Sequence, residues 1–160
     1  MSASVTVEIL VVGNELLRGE ILDTNTHWLC RLINSRGGRV TRVTLLPDIE
    51  EEAAEAVRSA IDRGVDVVFT SGGLGPTDDD LTLAAVARGA GVELALDATA
   101  REMVRQRYDD FHAQGVLAEG GLNPFREKMA WLPTGAEPLP NPVGTAPGVL
   151  LRAGKTVIVS

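Results

Sequence analysis

The sequence predicts an α/β domain whose mostly parallel sheet carries helices on both faces. Two observations predict it. Apolar, β-branched runs alternate with segments of helical periodicity, and the turns between them are rich in Gly, Pro, Asp and Asn. Such alternation makes βαβ units, whose crossovers leave the strands parallel. A third observation locates the ligand. The run Val65 to Phe69 stops at a loop of glycines and aspartates, a strand-to-helix corner of the kind where open sheets bind.

In chain order, Val5 to Val12 reads as a strand and Thr24 to Arg36 as a helix ended by Gly37 and Gly38, with Asp23 or Thr24 as its N-cap. Val40 to Leu46 reads as a second strand. Asp48-Ile49-Glu50-Glu51 has the spacing of an N-cap with a glutamate three residues on, and Ile49, Ala53, Val57, Ala60 and Ile61 repeat on one helical face until Gly64. After the third strand, Leu81, Ala84, Ala85 and Arg88 begin another helical pattern. Asp97 caps a further helix on which Met103, Val104, Arg107, Tyr108 and Phe111 share a side, with Met103 and Tyr108 read as core. Val149 to Leu151 and Val157 to Val159 form a C-terminal β-hairpin around Gly154-Lys155.

The glycine loop combines opposed charges. Gly72, Gly73 and Gly75 let a ligand approach the backbone, and the next helix starts with unpaired N–H groups, an arrangement suited to phosphate. Asp78, Asp79 and Asp80 follow. One aspartate at a helix start gains about 0.3–1 kcal/mol from the dipole, and Thr77 or Asp78 has the chemistry of an ordinary N-cap. Two carboxylates about 4 Å apart repel by about 4 kcal/mol at an effective dielectric near 20, so a trio lining a cleft needs a cation. Asp78 and Asp79 are expected to face solvent. Asp80 is the functional candidate, holding a divalent metal such as Mg²⁺, Co²⁺ or Mn²⁺ against a phosphorylated ligand.

Composition removes several classes. A chain of 160 residues, 44% hydrophobic, buries one core and is expected to be one domain. A formal charge of -7 and a pI near 4.8 exclude a general nucleic-acid or anionic-membrane surface. No signal core or membrane-length apolar run is present, and Cys30, the single cysteine, permits no internal disulfide. A cytoplasmic protein is therefore expected, with a homo-oligomer left open. His27 and His112 lack partners at zinc spacing. Gly154-Lys155-Thr156 ends like a phosphate-binding loop, but Val149 stands where its first glycine belongs. Ser71 lacks a Gly-x-Ser-x-Gly elbow.

The loop after the first strand, Gly13-Asn14-Glu15-Leu16-Leu17-Arg18-Gly19-Glu20-Ile21-Leu22-Asp23-Thr24-Asn25, sets an amide, a carboxylate and a guanidinium beside the same sheet end as Asp48 and the glycine loop. Together with Leu45-Leu46-Pro47-Asp48, Ser71-Gly72-Gly73-Leu74-Gly75-Pro76-Thr77-Asp78-Asp79-Asp80-Leu81-Thr82, Asn123 to Ala130 and Asn141 to Gly148, it resembles the CinA (competence/damage-inducible) family within the MoaB/Mog molybdopterin-binding superfamily.

The resemblance covers nearly the whole chain and implies a three-layer α/β/α fold with a MoaB/Mog-like pocket for a pterin or nucleotide phosphate. It implies catalytic roles for Asp48 and Asp80, with Asp80, Asp48 and Glu15 as metal ligands. Gly13, Asn14, Glu15, Asn25, Gly72, Gly73, Gly75, Thr77, Thr82, Lys128, Asn141, Gly144 and Thr145 become the ligand-binding candidates, helix capping being the rival role for Thr82. Arg18 and Arg126 are further candidates for anion contact, with simple solvation the favoured role for each. For the CinA branch it implies metal-dependent cleavage of a nucleotide pyrophosphate such as ADP-ribose. The alternatives are molybdopterin adenylylation and a non-catalytic binding module. CinA-like sequences continue past the last strand into a site-closing Leu-Pro-Gly-x-Pro loop and often a deamidase domain, so residues 1–160 are expected to be one domain truncated at its C-terminal end.

Overall fold

The computed structural model describes residues 4–160. Its first strand, β1 (Thr6–Val12), is followed by the short helix α1 (Asn14–Leu17), then α2 (Thr24–Ser35) and β2 (Arg39–Leu46). Helix α3 (Glu50–Arg63) leads to β3 (Val67–Ser71), and α4 (Thr82–Ala90) to β4 (Leu94–Leu96). Two helices follow, α5 (Ala98–Ala113) and α6 (Pro124–Lys128). The chain then runs through β5 (Trp131–Pro133), β6 (Glu137–Leu139), β7 (Gly148–Ala153) and β8 (Thr156–Val159).

Six strands make the main sheet in the order β2-β1-β3-β8-β7-β6, while β4 and β5 pair separately. Strands β2, β1, β3 and β8 are parallel, and the expected β7–β8 hairpin adds the antiparallel edge. The fold is the expected three-layer α/β arrangement. On one face α3 and α4 bury Ala53, Val57, Ala60, Ala85 and Val86 against Leu10, Val68, Leu151 and Ile158. On the other, Ile33 of α2 packs with Val7, Ile9 and Val11. Period-two alternation along β1 thus feeds both layers. Glu8 is buried in β1, and Arg63 answers its carboxylate with two hydrogen bonds of 2.8 and 2.6 Å.

Local chemistry explains most helix ends. Asp23 accepts from Thr26 N–H at 2.9 Å and Asp97 from Ala100 N–H at 2.7 Å, each a side-chain N-cap. Gly64 ends α3 in the left-handed region, as expected. Two expectations fail. Asp48 does not cap α3, whose N-cap is Ile49 with no side-chain bond. Neither Thr77 nor Asp78 caps α4, which starts after Leu81. Along α5, Val104 and Tyr108 are core, whereas Met103 is only half-buried and lines an open groove.

Candidate functional site

Strands β1, β2 and β3 end level with one another: Val12 lies beside Leu46, and Val11 beside Ser71. Their three following loops therefore meet, and hydrogen bonds join them. Asp48 Oδ2 accepts from the Asn14 N–H at 2.9 Å, and the Asp48 N–H reaches Asn14 Oδ1 at 3.4 Å. Asp48 thus secures the start of α1, which is why it is not available to α3. The Gly13 N–H donates to the Leu46 carbonyl at 3.0 Å. At the start of α2, Asn25 Nδ2 donates to Ser71 Oγ at 3.3 Å.

The glycine loop is held from below by Thr82. Its side chain is buried, 1% exposed, and Oγ1 donates to the Gly72 carbonyl at 2.7 Å. Its N–H donates to the Gly73 carbonyl at 3.1 Å. In a trans peptide the carbonyl and the next N–H point in opposite directions. Tying those two carbonyls to Thr82 therefore turns the N–H groups of Gly73 and Leu74 away from the protein. None of the described hydrogen bonds uses the N–H of Gly73, Leu74 or Gly75. Gly72 is required there: φ is 92°, and a Cβ would sit 2.1 Å from the Val12 carbonyl oxygen. The result is a row of unbonded backbone donors, an arrangement suited to an anion.

The acidic run folds on itself. Asp80 Oδ2 accepts from the Thr77 N–H at 2.9 Å and from Thr77 Oγ1 at 2.5 Å, and Asp79 Oδ1 also lies 2.5 Å from that hydroxyl. The Thr77 hydroxyl holds the Asp79 carboxyl below its ordinary range, with a smaller contribution from the Lys128 charge. Lys128 itself donates to the Thr77 carbonyl. As expected, Asp78 and Asp79 are exposed while Asp80 is half-buried. Asp80 and Lys128 line a cleft of about 60 Å³ with Gly73, Gly75 and Trp131.

Two further hollows adjoin the loop. One of about 180 Å³ is lined by Glu15, Asp23, Thr24, Asn25, Ser71 and Gly72. The other, about 470 Å³, lies between Leu74-Gly75 and the 139–148 segment, and includes Asn141, Gly144 and Thr145. Wider grooves occur along α5, about 580 Å³, and between α2 and the amino ends of β1 and β3, about 680 Å³. The α5 groove shares Pro140 and Asn141 with the third hollow, but neither groove is lined by the glycine loop, Asp48 or Asp80.

The structure thus brings Gly13, Asn14, Glu15, Asn25, Asp48, Gly72, Gly73, Gly75, Thr77, Asp80, Thr82 and Lys128 to one sheet end. Asn141, Gly144 and Thr145 form its far wall, but their polar groups serve that wall: Asn141 accepts from the N–H groups of Val143 and Gly144, and Thr145 Oγ1 faces Met129 Sδ. Arg107, unassigned from sequence, donates to the carbonyls of Pro142, Val143 and Gly144 and stacks on Phe111. The two arginines weighed between anion contact and simple solvation have other partners. Arg18 pairs with Glu20, and Arg126 binds the Gly120 and Gly121 carbonyls while lying over Tyr108.

The donor set does not make a metal centre by itself. Among the described residues no three His, Cys, Asp or Glu side chains gather around one point. Asp48 and Asp80 each give one oxygen to a backbone N–H, so a hard cation there would need most of its ligands from a bound phosphate and water. The free amides, by contrast, fit a phosphate group. No helix among the described residues is long and apolar enough to cross a membrane.

A mostly parallel sheet with a glycine loop at the carboxyl end of its strands is the architecture of open α/β domains whose ligands bind at that end. Residues 8–160 match the family described as "Probable molybdopterin binding domain", and the chain belongs to that family. Within it the chain is of the CinA type. It is 33% identical to the protein CinA of Thermoplasma acidophilum, itself of unknown function, over 98% of this chain and 86% of that one, with a TM-score of 0.86. The molybdopterin biosynthesis enzyme MoaB of Thermus thermophilus shares the fold: 24% identity, TM-score 0.58, covering 96% of this chain and 78% of that one. A protein of Pyrobaculum arsenaticum is 46% identical over 151 residues, 94% of this chain and 54% of the relative. The chain spans about half the length of that relative.

Proposed function

We propose that this domain binds the phosphate end of a pterin, with molybdopterin the ligand class that its family best supports. One observation carries the reading: Thr82 ties down the carbonyls of Gly72 and Gly73 and leaves the neighbouring amides free beside Lys128. Those amides supply directed donors and Lys128, held by the Thr77 carbonyl, a positive charge, while the hollow walled by residues 139–148 leaves room for the rest of the ligand. The likeness to MoaB supports the fold of such a binder. Where ATP is the second substrate, the pterin's phosphate oxygen would attack the α-phosphorus as the α–β P–O bond breaks and pyrophosphate leaves, with the same cradle of amides holding a phosphate.

A second reading, hydrolysis of a nucleotide pyrophosphate such as ADP-ribose, is what the resemblance of the motifs to the CinA family implies, and the position of Asp80 next to the cradle supports it. Water would add to one phosphorus as its bridging P–O bond breaks, giving AMP and ribose 5-phosphate. Asp80, with Asp48 and Glu15, would bind and orient the ligand and the attacking water, and Mg²⁺ would offset charge when held jointly with the phosphates. Chromatography after incubation with molybdopterin plus ATP, and separately with ADP-ribose plus Mg²⁺, separates the readings. Adenylylated pterin supports the first and AMP the second. Binding of the pterin without product supports a binding module, and absence of both binding and product removes the proposal.

A further inference from the structure

Trp131 is a large apolar side chain left 44% exposed beside the anion cradle. It shares one cleft with Gly73, Gly75, Asp80 and Lys128, the groups to which the phosphate reading is attached. Exposure alone is no signal, since Trp28 is 61% exposed and Phe125 66%, and neither lines the loop cavities. Position separates Trp131 from them. Its backbone is also fixed on both sides: Ala130 accepts from the Asp97 N–H at 2.9 Å, and Trp131 pairs with Leu96 in the β4–β5 ladder. Leu132, the next residue, is buried at 2% exposure. The indole is therefore mounted on a rigid edge.

Resting on the phosphate-binding reading, we propose that Trp131 is the stacking platform for the heterocycle of a phosphorylated pterin or purine whose phosphate sits on the Gly73–Gly75 amides. The cleft holds only about 60 Å³, too little to enclose a bicyclic ring, so the ring lies across its mouth against the exposed part of the indole. Base–aromatic stacking tolerates any flat π-system, which suits pterins and purines alike. Lys128 stands three residues earlier in the chain and lines the same cleft, placing charge and platform together. The platform thus adds ring recognition to a cradle that by itself reads only phosphate.

Two probes separate ring from phosphate: 6-hydroxymethyl-7,8-dihydropterin pyrophosphate, which has both, and inorganic pyrophosphate, which has no ring. ADP serves as the purine counterpart. In calorimetry Trp131→Ala should weaken the pterin and ADP probes about ten-fold or more, within the range that alanine substitution gives for base stacking, and leave pyrophosphate unchanged. Trp131→Phe should restore most of the affinity. In a Trp28→Phe background Trp131 is the only tryptophan, and its fluorescence should be quenched by the ring-bearing probes but not by pyrophosphate. Ring-probe affinity in folded Trp131→Ala equal to that of the parent chain overturns the platform while leaving the cradle intact. Failure of the parent chain to bind any probe instead overturns the phosphate reading, and the platform with it.

Discussion

Thr82→Val removes one hydroxyl from a buried position and keeps the side-chain shape. Its consequence can be worked from the structure. The lost bond, Oγ1 to the Gly72 carbonyl at 2.7 Å, lies under the tightest part of the glycine loop. An acceptor left without its partner costs about 1–3 kcal/mol. For a chain of this size each kcal/mol lowers Tm by about 2–4 °C, so a loss near 2 kcal/mol predicts a fall of about 4–8 °C. A second effect is separable from the first. With the Gly72 carbonyl released, the Gly72–Gly73 peptide can rotate, and the Gly73 N–H no longer stays directed outward. Pyrophosphate affinity measured by calorimetry at a temperature where the variant is folded should therefore drop as well. Thr82→Ser keeps the hydroxyl and should keep most of the affinity. A Thr82→Val chain with unchanged Tm and unchanged pyrophosphate affinity would refute the role given to this residue.

Asp80→Asn should keep the fold, because an amide oxygen can still accept from the Thr77 N–H, and should lower any phosphoanhydride cleavage by at least a decade, about 1.4 kcal/mol; undiminished turnover in the folded variant removes the role. Gly89→Ala would place a Cβ 2.6 Å from the Ala54 carbonyl oxygen and 2.7 Å from Val57 Cβ, so urea titration should show a loss of about 1–3 kcal/mol from overpacking despite the better helix propensity of alanine. The Thr6 N–H, and then its hydroxyl, hold the Asp66 carboxyl below its ordinary range. Its folded pKa lies below its unfolded one, so the stabilisation is present above the ordinary carboxylate range and is lost as pH falls from that range through the lowered folded value. Stability measured from pH 7 to pH 2 should accordingly fall less steeply for Asp66→Asn than for the parent chain; equal slopes would show that this pairing contributes nothing.

The sheet was legible in the sequence because β1, β3 and β8 carry β-branched runs and β7 an apolar one, and because Gly64 and Asp97 punctuate the helices. The short elements were not. Helices α1 and α6 and strands β4, β5 and β6 have three to five residues each, too few for a period to show. Asp48 shows how a local pattern can mislead. Its spacing to Glu51 matches a capping box, but the parallel register of β1 and β2 brings Asn14 to its carboxylate, a contact 34 residues apart that no window along the chain contains. Thr77 and Asp78 failed as caps for a related reason, since the Thr77 backbone and hydroxyl were satisfied within the loop by Asp79 and Asp80. Clustering of the three site loops followed from strand polarity alone. Arg107 and Trp131 left no sequence signal: one is an arginine on a helix, the other an aromatic at a strand start, and only packing sets them against the site.

The cradle itself is tested most directly by following backbone amide resonances during titration with pyrophosphate. Free N–H groups that receive an anion shift strongly, whereas those already bonded within helices and strands move little. The largest shifts should belong to Gly73, Leu74 and Gly75, with smaller ones at Lys128, which lines the same cleft, and at Thr77, which is hydrogen-bonded to Asp80 and Lys128. Saturable shifts confined to the α5 groove around Met103 and Gln106, or to the Arg36–Gly38 end of the sheet, would contradict the account by placing the anion where the glycine loop is not.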